Sequence, residues 1–346
     1  MRKPEISLFI IVITSFFLFT TFAQSPVTYR VLIDTDLGGD PDDIQSLYRL
    51  IHYSDILTIE GIVSTTGPGS KPRVSLIKEW IQRVDVDYLR KKGHTELITE
   101  RDILNKVVEG SQTSGIPSDM RKSKGSSLII ERAHAGGKEN PLWILVWGSI
   151  TTLAQALFED PTIAEKIRIH YISSSNTQND PKSRNWVHDF MANQSPELWW
   201  IENGALPKWS HETFRGVYLG GNQNDKWGNK EFINQVIRGR GSTNNSLFNE
   251  KCGNVFPAAE WPDGILKEGD SPTLLLLLSP VLAGLGNVND PTCESWGGQY
   301  RKPDPNHYPN YYVDLEASPD ECQQTINKWR VDFLSDWEKR WKWYDD

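Results

Sequence analysis

Five aspartates, Asp34, Asp36, Asp40, Asp42 and Asp43, crowd into the ten residues Asp34-Thr35-Asp36-Leu37-Gly38-Gly39-Asp40-Pro41-Asp42-Asp43. Carboxylates this close repel one another and raise each other's pKa, and a hard cation with oxygen ligands, Ca²⁺ ahead of Mg²⁺, is the simplest remedy. Acidic residues in a first helical turn also complement the helix dipole without any ligand. That accounts for Asp40 and partly for Asp42 and Asp43. It does not account for Asp34 and Asp36, which alternate onto one face of a strand end. Perturbed carboxylates in a cleft are candidates for a functional site.

The elements that must hold these groups are legible on either side. Val31, Leu32 and Ile33 form an apolar run that reads as a buried strand, stopped by Gly38 and Gly39. Asp40 has N-cap chemistry, Pro41 suits the first helical position, and Ile44, Leu47, Tyr48 and Ile51 recur at helical spacing. The aspartates therefore sit at the C-terminal edge of a strand, where open α/β sheets place their ligands.

The spacing DTDxGxDxDD resembles the N-terminal signature of the nucleoside hydrolases, calcium-dependent N-ribohydrolases. The longer stretch GGDPDDIQSLYRL is more similar still to the nucleoside hydrolase-like domain of proteins described as cellulose-binding. The resemblance implies an α/β fold, a Rossmann-like open and mostly parallel sheet with helices on both faces, and one Ca²⁺ at the bottom of a pocket. It also implies roles: Asp36 as metal ligand and general base, Asp43 as metal ligand, and Asp42 on the sugar hydroxyls. Two later segments extend it. Gly148-Ser149-Ile150-Thr151 looks like the family segment whose Thr gives a backbone carbonyl to calcium, here Thr151. Glu268-Gly269-Asp270-Ser271-Pro272 looks like the one whose aspartate ligates the metal, here Asp270. An acid and an asparagine that grip the ribose match loosely to Asp189, Asn193 and Asn185. His188 and His211 are the candidate acids for a leaving base. Two departures stand out: Pro68 occupies the place of a sugar-binding Asn, and Gly269 that of a histidine some members use near the leaving group.

The remaining pattern supplies the frame. Strands are expected over 57–64, 142–147, 167–173 and 213–218, and helices over 74–89, 103–108, 151–158, 230–238, 273–285 and 320–343. Residues 110–127, rich in Ser, Gly and Lys, read as an exposed loop near the pocket mouth. Trp143 and Trp147 lie on an apolar strand and read as core. Trp329, Phe333, Trp337 and Trp341 recur at helical spacing as a face that docks on the domain. Glu294 to Tyr300 resembles the WGG segment of the cellulose-associated branch.

Composition narrows the function classes. Arg2 and Lys3 precede an apolar run ending at Thr21-Phe22-Ala23, so residues 1–23 read as a signal peptide and the chain as secreted or periplasmic. Residues 24–346 then form one domain. The net charge is −8, and no basic stripe is present, which argues against nucleic acid as a partner. After cleavage no membrane span is expected. The three cysteines, Cys252, Cys293 and Cys322, allow at most one intrachain bridge, with Cys293–Cys322 the expected pair and three unpaired thiols the alternative. The leading expectation is thus a secreted, calcium-dependent hydrolase of N-glycosidic bonds in nucleosides or related N-ribosyl or N-glycosyl compounds. In it a water oriented by the ion and deprotonated by Asp36 attacks the anomeric carbon. The alternative, prompted by 14 tryptophans and the two departures, is a non-catalytic binder of cellulose or cell-wall glycan on the same fold. Association into a homo-oligomer is left open.

Overall fold

The computed structural model describes residues 28–38, 41–67, 71–119, 121–205, 212–240 and 265–345. Residues 1–23 lie outside these, as do Asp40, Pro68, His211 and Cys252. Eight strands form one sheet: β1 (Tyr29–Thr35), β2 (Leu57–Ser64), β3 (Val107–Glu109), β4 (Leu142–Val146), β5 (Ile167–Ile172), β6 (Trp199–Asn203), β7 (Tyr300–Arg301) and β8 (Tyr311–Asp314). Their order is β3-β2-β1-β4-β5-β6-β8-β7, and every neighbouring pair is parallel except β7 with β8. Strand addition runs one way from β1 through β3 and the other way from β4 through β6. The crevice between the C-terminal ends of β1 and β4 is therefore the topological switch point.

The helices are α1 (Asp42–His52), α2 (Val74–Val84), α3 (Val86–Lys91), α4 (Glu100–Leu104), α5 (Lys124–Gly136), α6 (Thr151–Glu159), α7 (Ser174–Asn179), α8 (Pro181–Gln194), α9 (Asn229–Phe232), α10 (Pro272–Ala283), α11 (Pro319–Asn327) and α12 (Arg330–Trp341). They cover both faces of the sheet. Alternation along each strand divides the core accordingly. Val31, Ile33, Trp143 and Leu145 join the apolar cluster containing α1, α2, α10 and α12 residues. Leu32, Leu142, Ile144 and Val146 join the other, with residues of α5, α6 and α8. Strands buried on both faces explain the unbroken apolar runs of β1 and β4. No described helix is long and apolar enough to cross a membrane.

The C-terminal stripe is a docking face, as its spacing indicates. Phe333, Trp337 and Trp341 are buried, and Trp341 stacks on Tyr48 of α1 at 5.9 Å. His52 ties the two helices together. Trp337 Nε1 donates to His52 Nδ1 (3.0 Å), so the Nε2–H is directed to Tyr344 Oη (2.9 Å), which donates to the Val84 carbonyl (2.7 Å). Burial, reinforced by the charges of Arg340 and Arg49, pulls this imidazole down to about 3.

Several expectations are corrected. The helix expected over 74–89 breaks at Asp85, which adopts a left-handed φ of 54°, into α2 and α3. The helix expected over 103–108 is short α4 followed by β3, because Val107 and Val108 pair with Ile62 and Val63 on the edge of β2. The strand expected over 213–218 is a 3₁₀ turn, Thr213–Val217, where Gly216 presses on the backbone of Gln323 in α11, with no room for even a Cβ. The strand in that part of the sheet is β6, whose Trp-Trp start and Glu-Asn end gave no clear period. The single helix expected over 320–343 divides into α11 and α12. Cys293 and Cys322 are both free thiols, one exposed and one buried, so that bridge does not form.

Candidate functional site

Three carboxylates converge at the switch-point end of the sheet. Asp42 and Asp43 open α1, Asp270 lies two residues before α10, and one oxygen from each lies within 4.8 Å of the others. Asp43 and Asp270 are buried. Thr35, on the α1 face of β1, donates its hydroxyl to Asp43. Lys267 Nζ sits 3.8 Å from Asp42 Oδ2 with its side chain almost wholly buried. An all-oxygen donor set with one neighbouring ammonium retains a net negative charge, which suits a hard divalent cation. Gly269 makes the convergence sterically feasible: a Cβ there would stand 2.7 Å from Asp42 Oδ2. That position therefore presents no side chain to the site, histidine included.

The loop carrying Asp270 is held by a polar stripe on α1. Gln45 bridges the Ile265 carbonyl (3.1 Å) and the Lys267 N–H (2.6 Å), and the Ser46 and Ser271 hydroxyls meet at 3.0 Å. Arg49 donates to both carboxylate oxygens of Glu268, through Nε at 2.8 Å and through Nη2, and Ser271 donates to Glu268 at 2.9 Å. Residues 42, 45, 46 and 49 thus share one helical face. Sequence reasoning followed the apolar face of α1 and overlooked this one, although the spacing was equally regular.

Asp36 takes a different side. Continuing the alternation of β1, it falls on the face of Leu32 and Asp34, opposite Thr35. A Cβ on Gly67 would lie 1.7 Å from Asp36 Oδ2, and one on Gly148 would lie 2.9 Å from Asp36 Cβ. Asp42, which the resemblance put on sugar, is one of the three carboxylates that converge, whereas Asp36, which the resemblance put on the metal, is not in that group. Beneath it Asp34 is fully buried, and burial pushes its carboxyl well above the usual carboxylate range.

Beside Asp36 opens a cleft of about 390 Å³ lined by Thr66, Gly67, Lys71, Gln112, Thr113, Ser114, Ser149, Asn176, Asn179 and Asp180. Besides the charged Lys71 and Asp180, its polar lining is amides and hydroxyls, the chemistry that pairs with sugar hydroxyls. Gln112 to Ser114 come from the loop expected at the mouth. Asp180 accepts hydrogen bonds from Ser149 (2.6 Å), from the Thr151 hydroxyl and from the Ser183 N–H (3.2 Å). Thr151, expected to offer its carbonyl to a metal, begins α6 fully buried with its side chain on Asp180. Asn176 Nδ2 donates to the carbonyls of Trp147 and Ile172, both at 2.9 Å. Just before it, Ser174 holds a positive φ of 36°, a conformation costly for a residue other than glycine.

The residues expected to grip the sugar from α8 do not line this cleft. Asn185, Asp189 and Asn193 are exposed, and Asn193 Nδ2 donates to the Asp189 carbonyl one turn back (2.8 Å). His188 lies eight residues beyond Asp180, roughly 12 Å along the helix axis. It packs between Tyr308 and Tyr311, and burial followed by the Arg184 charge lowers its pKa. The relevant polar run is Ser173 to Asp180, which directly follows β5. That position at a strand's C-terminal end was the available signal.

Comparison with known proteins agrees with this architecture. The family model described as "Cellulose-binding Sde182, nucleoside hydrolase-like domain" matches residues 30–300. A nucleoside hydrolase-related protein from Saccharophagus degradans, described as associated with carbohydrate metabolism, is 22% identical. Its TM-score is 0.65, over 92% of this chain and 72% of that one. The effector protein XOO4466 is 13% identical with a TM-score of 0.50, over 89% of this chain and 94% of that one. An inosine-uridine preferring nucleoside hydrolase from Bacillus anthracis is 17% identical with a TM-score of 0.48, over 88% of this chain and 99% of that one. For the first two, at 22% and 13% identity, the likeness is one of fold. A search of the curated proteins finds no match.

Proposed function

This chain belongs to the cellulose-binding Sde182-type, nucleoside hydrolase-like family, and from that premise we propose that it is a calcium-dependent hydrolase of N-glycosidic bonds, acting on a nucleoside or a related N-ribosyl or N-glycosyl compound. The observation that carries this reading is the convergence of Asp42, Asp43 and Asp270 at the C-terminal end of the sheet. Ca²⁺ held by those three carboxylates would supply positive charge that orients sugar hydroxyls and a nucleophilic water.

The chain's own groups divide the remaining work. In this reading Asp36, which lies against Gly67 of the cleft lining, accepts the proton of the attacking water. Ser149, Asn176 and Asn179 line the cleft, and in this reading their acceptor oxygens meet sugar hydroxyls. With no side chain at Gly269 and His188 outside the cleft, the leaving group receives no imidazole from either position. The other candidate imidazole, His211, lies outside the described residues. The export expected from residues 1–23 would place this activity outside the cytoplasm.

A second reading has its own support: the family description names cellulose binding, and a cleft of amides and hydroxyls serves sugar retention as well as turnover. Incubation of the purified chain with inosine, uridine and adenosine, in Ca²⁺ and after chelation, separates the two. Chelator-sensitive release of free base is the expected result. Retention on insoluble polysaccharide with no base or reducing sugar released would replace hydrolysis with binding.

A further inference from the structure

Segments far apart in sequence meet at one buried ion pair next to the proposed cation site. Arg49 and Glu268 are both fully buried and joined by two hydrogen bonds. The aromatic rings of α12 close over the guanidinium, Trp337 at 4.0 Å and Phe333 at 5.7 Å. Arg49 Nη1 meets no hydrogen-bond partner among the described residues. Glu268 is two residues before Asp270 and is joined to Ser271, whereas Arg49 shares its helix with Asp42 and Asp43. The fork thus fixes the distance between the two backbone segments that supply the three carboxylates. Trp337, beyond the residues 30–300 that match the family model, keeps water from the fork.

We propose that Arg49 is a positioning residue for the cation site and that α12, through Trp337, is part of that positioning device. The inference rests on the reading of Asp42, Asp43 and Asp270 as cation ligands, which Arg49 does not itself touch. A carboxylate trio held at a fixed span by a desolvated fork is preorganised for one ion size. Loosening the fork lets Asp270 drift from Asp42 and Asp43 without removing any ligand. Partners that orient metal ligands in this way are typically worth about 10- to 100-fold in metal affinity.

The molecule contains its own control. Arg184 and Glu202 form a second buried fork, with hydrogen bonds of 2.7 and 2.6 Å, between α8 and β6 and away from α1. Lysine in place of either arginine keeps the charge and loses the two-pronged geometry. Ca²⁺ titration by calorimetry, together with melting in Ca²⁺ and in chelator, is compared for the parent, Arg49→Lys and Arg184→Lys. The expected result is a loss of Ca²⁺ affinity of about tenfold or more, and a smaller Ca²⁺-induced rise in Tm, for Arg49→Lys alone. Arg184→Lys is expected to lower Tm equally with and without Ca²⁺ and to keep its affinity. Trp337→Phe, which retains an apolar cover, carries the same comparison if Arg49→Lys does not fold. Equal Ca²⁺ affinity in the parent and Arg49→Lys, or equal losses in both lysine variants, overturns the positioning role alone. A parent that binds no Ca²⁺ overturns the cation reading and this inference with it.

Discussion

The two walls of the crevice achieve polarity by different means. On the α1 and α10 side, three carboxylates are forced together and held by buried charge: the Arg49–Glu268 fork, Lys267 beside Asp42, and the Gln45 bridge. On the α6, α7 and α8 side, neutral amides and hydroxyls surround Asp180, whose charge is satisfied locally by Ser149, Thr151 and the Ser183 N–H. In the proposed reading a cation completes the first wall. The second is complete in itself and offers hydrogen bonds outward. An ion site needs concentrated charge, whereas a sugar site needs many modest, directional contacts.

This contrast can be broken experimentally, beginning with the largest effect. His52 belongs to the buttress of the acidic wall, and its folded pKa of about 3 lies below the unfolded value near 6.5. A depressed folded pKa means that the stabilising contribution is complete above about pH 6.5 and is lost as pH falls toward 3. The span corresponds to roughly 5 kcal/mol at its limit, by order of magnitude. Unfolding free energy measured by urea titration between pH 7 and pH 4 is expected to fall in the wild type. A wild-type profile that stays flat through this window would remove His52 from the account.

Next, Asp43→Ala is expected to weaken Ca²⁺ by on the order of 100-fold, since affinity at such sites follows the number of charged ligands. Asn176→Ala on the other wall should stay within about twofold of the parent, as expected for a group that coordinates no ion. Titration calorimetry on the pair measures the asymmetry, and comparable losses would erase it. A finer test concerns Asp36. Gly67→Ala puts a Cβ where the Asp36 carboxylate lies and should cost about 1–3 kcal/mol of stability through overpacking. Turnover or ligand retention should drop while Ca²⁺ affinity holds. A matching drop in Ca²⁺ affinity would return Asp36 to the ion.

How much of this was legible in the sequence follows the same division. The acidic wall was visible because charge at short spacing is conspicuous: Asp42, Asp43 and Asp270 could each be picked out by type and by position next to a helix start. What spacing could not show was which carboxylates converge. That depends on strand parity, which turns Asp36 away from Thr35 and toward Gly67. Arg49 and Glu268 lie 219 residues apart and meet only in the fold. The neutral wall was missed more completely, since Asn176, Asn179 and Asp180 are ordinary loop and cap residues until the sheet order places them at the switch point. Asn185, Asp189 and Asn193 were chosen by resemblance alone, and helical geometry carries them outward from Asp180. The sheet itself was largely readable from the apolar runs of β1, β2, β4 and β5. The failures at β3 and β6 occurred where short strands lack a period of their own and are set by pairing.

Asp42, Asp43 and Asp270 are proposed to form a divalent cation site. Calorimetric titration of Ca²⁺ into the chelator-treated chain tests it most directly, with Asp270→Ala alongside. The account predicts one saturable Ca²⁺ per chain in the parent and its loss in the variant. No heat of binding in the parent, or a site that persists undiminished in Asp270→Ala, would contradict it.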